Sequence, residues 1–230
     1  MKNGAAWVII DTETDGLSAP IHVVELAAQF MRGWDPVGEP FRMYLNHEVR
    51  IPTEAIAVHG YTQAYLRKNG HDPREVHEAF RAYVKDCPLV AHNLTYDWDR
   101  TLLPEWARLG IPPIGKRGFC TLTLARRLVP EIRSHRLNKL KSDFRLLMNR
   151  SHEALSDVQT VVELFQKVLR PRLELAGIDT FEAIAGFAKL APIAKCVDLI
   201  RSGQRVSGRI IPVQMAVRPS MLDPQEREAV

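Results

Sequence analysis

Apolar and polar positions change period along this chain. Ala6-Trp7-Val8-Ile9-Ile10 is an unbroken apolar run ahead of acids, the pattern of a strand buried on both faces. His22 to Phe30 and Phe41 to Leu45 read as two more strands, with Gly- and Pro-rich connections between them. Three strands in succession predict an antiparallel meander. Helical spacing follows over Pro73 to Lys85, Tyr96 to Leu109 around Pro104, Leu122 to Leu128 and Leu137 to Leu147, interleaved with short strands at Leu89-Val90-Ala91 and Gly118-Phe119-Cys120. Over Glu153 to Leu169, Ala154, Val158, Val161, Phe165 and Val168 recur at three- and four-residue intervals and predict a helix with one apolar stripe. The order implies an α/β fold in which helices cover a mixed sheet. Near Pro171 the character changes. The expected division is a domain over 1–170 and an extension over 171–230 with a helix at Phe181 to Leu190, a basic turn-rich stretch from Arg201 to Arg209 and a polar tail from Arg218.

Composition narrows the class. With 230 residues, 46% hydrophobic and 25% charged, the chain is globular and not disordered, collagenous or coiled-coil. A chain of this length buries roughly 70% of its unfolded surface, so its core needs neither disulfides nor a structural metal. Its three cysteines, Cys87, Cys120 and Cys196, form no CxxC pair, which suits a reducing compartment. The apolar stretch near the N-terminus is too short for a signal-peptide core, and no run of 18 apolar residues occurs. A cytoplasmic protein without a membrane partner is expected. Charge is uneven: residues 116–150 hold ten Lys and Arg against Glu131 and Asp143, while the whole chain sums to only +4. That segment reads either as a solvated helix face or as a footprint for a polyanion.

Three acidic clusters carry candidate chemistry. Asp11 and Glu13 follow the first apolar run, and residues two apart on a strand share a face. Asp97 falls in the first turn of the helix that leaves Leu89-Val90-Ala91, with Asp99 two residues out of phase. His152 and Asp157 are five apart, which on a helix is about 140° of rotation, so His152 should sit ahead of the helix and Asp157 inside it. Each cluster also has an ordinary reading: a turn acid for Asp11 and Glu13, a helix-dipole acid for Asp97 or Asp157, a solvated loop residue for His152.

The clusters in this order resemble the DEDDh family of 3′→5′ exonucleases. Asp11-Thr-Glu-Thr-Asp-Gly-Leu17, Val24-Glu25-Leu26-Ala27, Ile51-Pro-Thr-Glu-Ala55 with Val58-His59-Gly60, Val90-Ala-His-Asn93 and His152-Glu-Ala-Leu-Ser-Asp157 are similar to the epsilon-type proofreading exonucleases of DNA polymerase III. Cys120-Thr-Leu-Thr-Leu-Ala-Arg-Arg-Leu128 looks nearest to exonuclease X, although many members carry Asp where Cys120 stands. The resemblance covers about residues 6–170. It implies a ribonuclease H-like fold, a five-stranded mixed sheet with three antiparallel strands followed by parallel ones.

The resemblance also implies that Asp11, Glu13, Asp97 and Asp157 hold two divalent ions, Mg²⁺ or Mn²⁺, with His152 as general base. Oxygen-only ligands suit those ions, and four converging carboxylates need cations to share the site. Thr12, Thr14, Gly16, Leu17, His59, His92, Asn93 and Tyr96 match positions that line the terminal-nucleotide pocket. The implied activity is removal of nucleoside 5′-monophosphates from DNA 3′ ends, single strands preferred. A related exoribonuclease like ribonuclease T or oligoribonuclease, and a non-catalytic nucleic-acid-binding module, are the alternatives. Neither a polymerase partner nor a homodimer is readable from the residues. No P-loop, GxGxxG or GxSxG motif supports a triphosphate, dinucleotide or serine-hydrolase reading.

Overall fold

A computed structural model describes residues 1, 4–114, 116–146 and 152–189, together with the backbone of 205–206 and 209–210. β1 (Ala6–Thr14) is the axis of the sheet, and its side chains alternate between two packed faces. Trp7 and Ile9 join a core with Phe119, Leu124, Val158, Val161 and Phe165. Val8 and Ile10 join a second core with Leu26, Phe80, Leu102 and Trp106. β1 pairs antiparallel with β2 (Val23–Arg32) and parallel with β5 (Leu89–Ala91), which pairs parallel with β6 (Arg117–Cys120). At β6 only glycine fits position 118, because a Cβ there would lie 2.4 Å from the Leu89 carbonyl oxygen.

The described sheet has six strands where five were expected. β3 (Asp35–Pro36) and β4 (Phe41–Tyr44) both pair antiparallel with β2 along one edge; β4 is the expected third strand, and β3 is the added one. Gly38, at φ +70, and Pro40, which has no N–H to donate, separate β3 from β4.

Two short helices, α1 (Thr53–His59) and α2 (Gln63–Asn69), follow the meander where no helix was expected. α3 (Pro73–Val84) starts at Asp72, whose carboxylate accepts the N–H groups of Arg74 and Glu75. After β5 the chain takes a π-helical stretch, Thr95–Leu102, that runs into α4 (Leu103–Leu109). After β6 come α5 (Thr121–Leu128), α6 (Leu137–Asp143) and α7 (Ala154–Leu164). A second π stretch, Phe165–Leu169, leads into α8 (Arg170–Leu175). Pro104 and Pro171 each stand two residues beyond a π stretch, where the wider turn makes room for a ring that an uninterrupted α-helix would exclude.

Residues beyond 170 take part in the core. Leu173, Ile178, Ile184 and Phe187 pack in the Trp7 cluster, and the ring of Phe181, on α9 (Phe181–Ala188), lies 5.2 Å from that of Phe119. Within the stretch read as basic and turn-rich, Arg205–Val206 and Arg209–Ile210 pair antiparallel. Leu147, Leu190 and the tail from Arg218 lie outside the described residues. Among the described residues no helix is long and apolar enough to cross a membrane.

Candidate active site

The two faces of β1 bring the acids together from opposite sides. Asp11 and Glu13 share the parity of Trp7 and Ile9, the face that α7 covers, while Thr12 shares that of Val8 and Ile10, toward the π stretch. Thr12 donates to Asp97 Oδ1 twice, from its backbone N–H at 3.1 Å and from its hydroxyl at 2.8 Å. The π stretch thus presents Asp97 to the strand end and leaves Asp99 to pair with Arg117 at 2.8 Å. From the other side α7 contributes Asp157, whose Oδ2 accepts the His152 N–H at 3.2 Å. His152 stands ahead of the helix, exposed, at φ 61°. Ligand atoms of Glu13, His152 and Asp157 lie within 4.8 Å of one another.

Burial makes this cluster costly without cations. Glu13, Asp97 and Asp157 are 8%, 3% and 8% exposed. Burial, then the charges of Asp97, Asp157, Glu13 and Glu25, raises the Asp11 pKa well above the carboxylate range. Burial, then Asp157 and Glu25, pushes Glu13 to about 8. Asp97 is pushed to about 7 by burial, against the hydrogen bonds from Thr12. Asp157 is also raised by burial, partly offset by the His152 N–H and by the charges of His152 and Lys141. Asp157 Oδ1 is buried with no hydrogen-bond partner. An orphaned carboxylate oxygen among buried acids fits a divalent cation, so Asp11, Glu13, Asp97 and Asp157 suit the ligand set expected of them.

The remaining expected residues divide. The Thr14 and Tyr96 hydroxyls are 2.7 Å apart, and both reach the Gly16 carbonyl, at 3.0 and 3.1 Å. Leu17 is 70% exposed just beyond this turn, its carbonyl held by Arg100 at 3.1 Å. His59 is buried beside them, its Nδ1 accepting the Tyr61 N–H at 2.9 Å, and it hydrogen-bonds the Thr14 backbone. Asn93 is exposed at φ 90°, turning the chain from β5 into the π stretch. Thr12 and His92 are otherwise engaged. The Thr12 hydroxyl holds Asp97, and the His92 ring meets Thr121 Oγ1 at 3.1 Å and the His135 carbonyl at 2.9 Å, with burial lowering its pKa to about 4.

Four residues near the site escaped sequence reasoning as parts of it. Glu25 sits opposite Glu13 across β1 and β2, and Arg42 pairs with Glu25 at 2.7 Å. On α6, Asn138 lies 3.4 Å from His152 Nε2, and the buried Lys141 lowers the Asp157 pKa by its charge. Asn138 and Lys141 are three apart on one helix, a spacing that could have signalled a shared face. Lys141 and Arg127 are buried, whereas Arg126, Arg133 and Arg136 are exposed, so the basic segment is only partly an outer surface.

A mixed sheet whose central strand, post-β5 helix and α7 bring four acids together is the arrangement expected of a DEDD-type exonuclease. The chain belongs to the exonuclease family RNase_T, whose family model matches residues 8–165. It is similar to DNA polymerase III PolC-type of Bacillus subtilis, 30% identical over 169 residues, and of Listeria monocytogenes, 28% identical over 182. These alignments cover 73% and 78% of the chain but only 12% of each relative. Among solved structures, E. coli exonuclease I in complex with a dT13 oligonucleotide is similar in fold (TM-score 0.65, 20% identity, 74% of this chain and 42% of that one). Exonuclease X in complex with 5′ overhanging duplex DNA is another (TM-score 0.59, 26% identity, 78% of this chain and 97% of that one).

Proposed function

We propose that this chain removes nucleoside 5′-monophosphates one at a time from the 3′ end of DNA, preferring single-stranded ends, in the cytoplasm. The observation that carries the reading is the cluster of Asp11, Glu13, Asp97 and Asp157, near enough for their charges to act on one another, with Glu13 and Asp157 beside an exposed histidine and Asp157 Oδ1 left without a partner. DNA is favoured because exonuclease I and exonuclease X are held with DNA and the PolC-type relatives are DNA polymerases. A polymerase is the partner class that those relatives suggest.

Two divalent ions, Mg²⁺ or Mn²⁺, held by the four acids would supply the positive charge that a phosphodiester displacement needs on its attacking and leaving oxygens. His152, outside the helix and beside Glu13 and Asp157, accepts the proton of the attacking water. The turn fixed by Thr14, Gly16 and Tyr96 shapes the pocket for the terminal sugar, and exposed Leu17 offers an apolar contact to its base. Arg126, Arg133 and Arg136 contact backbone phosphates, and binding should therefore weaken as salt rises.

Digestion of matched 5′-labelled DNA and RNA oligonucleotides tests the reading. The DNA strand should shorten stepwise from its 3′ end, a 3′-phosphate should slow it, and chelator should stop it until Mg²⁺ or Mn²⁺ is restored. Faster loss of the RNA strand would transfer the activity to RNA. Early release of the 5′ label, or cuts in a circular strand, would overturn the 3′→5′ polarity.

A further inference from the structure

Glu25 takes no part in the chemistry proposed above, yet it stands against the site. It is fully buried on β2, opposite Glu13. Its carboxylate accepts three hydrogen bonds, from Arg42 Nε at 2.7 Å, from the Tyr61 hydroxyl at 2.7 Å and from the Ala154 N–H at 2.8 Å. The donors come from β4, from the segment after α1, and from the first residue of α7. Arg42 also reaches Glu153 through Nη2, and Glu153 Oε2 accepts the Ser156 hydroxyl at 2.9 Å. The entry to α7, which carries His152 and Asp157, is therefore tied to the strand pair that carries Asp11 and Glu13.

We propose that Glu25 and Arg42 are positioning residues that hold the α7 half of the ion site, His152 and Asp157, in register with the β1 half. The inference rests on the exonuclease reading above. His152 has a positive φ, a conformation unfavourable for a residue with a side chain, which persists only where its surroundings enforce it. A helix also begins with N–H groups that lack intrahelical partners, and Glu25 supplies the acceptor for Ala154.

Charge and shape are both required at this position. A glutamine at 25 would place its amide nitrogen either against Arg42 Nε–H or against the Tyr61 and Ala154 donors, so a donor would face a donor in both orientations. Lysine at 42 offers one ammonium, where the guanidinium bridges two carboxylates through separate nitrogens.

The test uses the full chain with Glu25→Gln, Arg42→Ala or Arg42→Lys. Mn²⁺ binding is measured by calorimetry without nucleic acid, and kcat and KM on a 5′-labelled single strand. Glu25→Gln and Arg42→Ala should each lower Mn²⁺ affinity and kcat by roughly 10- to 100-fold, with KM little changed. Arg42→Lys should fall between them and wild type, and free guanidinium should restore part of the Arg42→Ala rate. Wild-type Mn²⁺ affinity and kcat in the Arg42 variants, or a loss confined to KM, would overturn the proposal. If Glu25→Gln fails to fold, the Arg42 pair decides. A wild-type chain that binds Mn²⁺ but cuts no nucleic acid would defeat the exonuclease reading, while the Mn²⁺ affinities would still decide the positioning role.

Discussion

Among the described residues, the buried acids at β1 and Glu105 on α4 are acted on alike by burial but differ in their partners. Glu105 on α4 is 1% exposed. It accepts the Val23 N–H at 2.8 Å and lies 2.7 Å from His77 Nε2 and 3.1 Å from His47 Nε2. Trp106 donates to His77 Nδ1 at 3.0 Å, which leaves Nε2 to carry the proton toward Glu105. Burial alone would raise the Glu105 pKa, but the hydrogen bonds from His47 and His77 overcome it and hold it at about 2. In the β1 cluster the acids have mainly one another, and Glu13 and Asp97 rise to about 8 and about 7. A satisfied buried carboxylate fastens the α4 end of the fold to β2, whereas an unsatisfied cluster is a place for cations.

The largest effects should separate these groups completely. Asp11→Ala, Glu13→Ala, Asp97→Ala and Asp157→Ala should each nearly abolish cleavage, while in Asp11→Ala and Glu13→Ala thermal stability measured in chelator holds or rises because like-charge repulsion is relieved. Glu105→Ala should do the reverse to stability, since buried donors left without an acceptor cost about 1–3 kcal/mol each. Thermal melts in chelator and a nuclease assay on the same preparations check both. A chelated Glu13→Ala protein that melts well below wild type would show that its carboxylate is structural after all.

Next in size is His152→Ala, which should slow hydrolysis within the roughly 10²- to 10⁴-fold range of general-base catalysis while Mn²⁺ still binds. His77→Ala should cost stability instead, through Glu105 and Trp106. Rates and calorimetry on the two variants place each histidine with its acid group. Full activity in His152→Ala, with its pH dependence intact, would remove the base from the mechanism.

The placement of the candidate site residues was legible because it is local to short segments. Asp11 and Glu13 share a face by strand period alone, helix phase separated Asp97 from Asp99, and five-residue spacing put His152 outside α7. Partners joined across the chain were not legible. Arg42 finds Glu25 and Glu153 through tertiary folding, and no periodicity encodes that meeting. α1 and α2 escaped because each is seven residues long, with only Ala55 and His59 or Leu66 buried, too few for a helical stripe. Lys141 counted as part of a basic surface, yet it points inward, because charge counting carries no direction.

The smallest effect, and the sharpest contrast, lies in the pH dependence of stability. Asp97 and Glu13 have folded pKa values of about 7 and about 8, above the unfolded values of about 3.9 and about 4.3. The folded form therefore keeps protons that the unfolded form has lost. Their contribution is complete below the unfolded pKa and falls away as pH climbs through 7 and 8. Glu105 works the other way: with a folded pKa of about 2, its contribution is present above its unfolded pKa and is lost as pH falls toward 2. In chelator, Tm should decline from about pH 5 to about pH 8, and saturating Mg²⁺ should remove that decline by supplying the missing counter-charge. Asp97→Asn should make the chelated decline shallower, whereas Glu105→Gln should lower Tm at neutral pH and flatten only the acid limb. A chelated wild-type Tm that rises across that interval would mean the four acids are already neutralised from within the protein, and the distinction between the two groups would collapse.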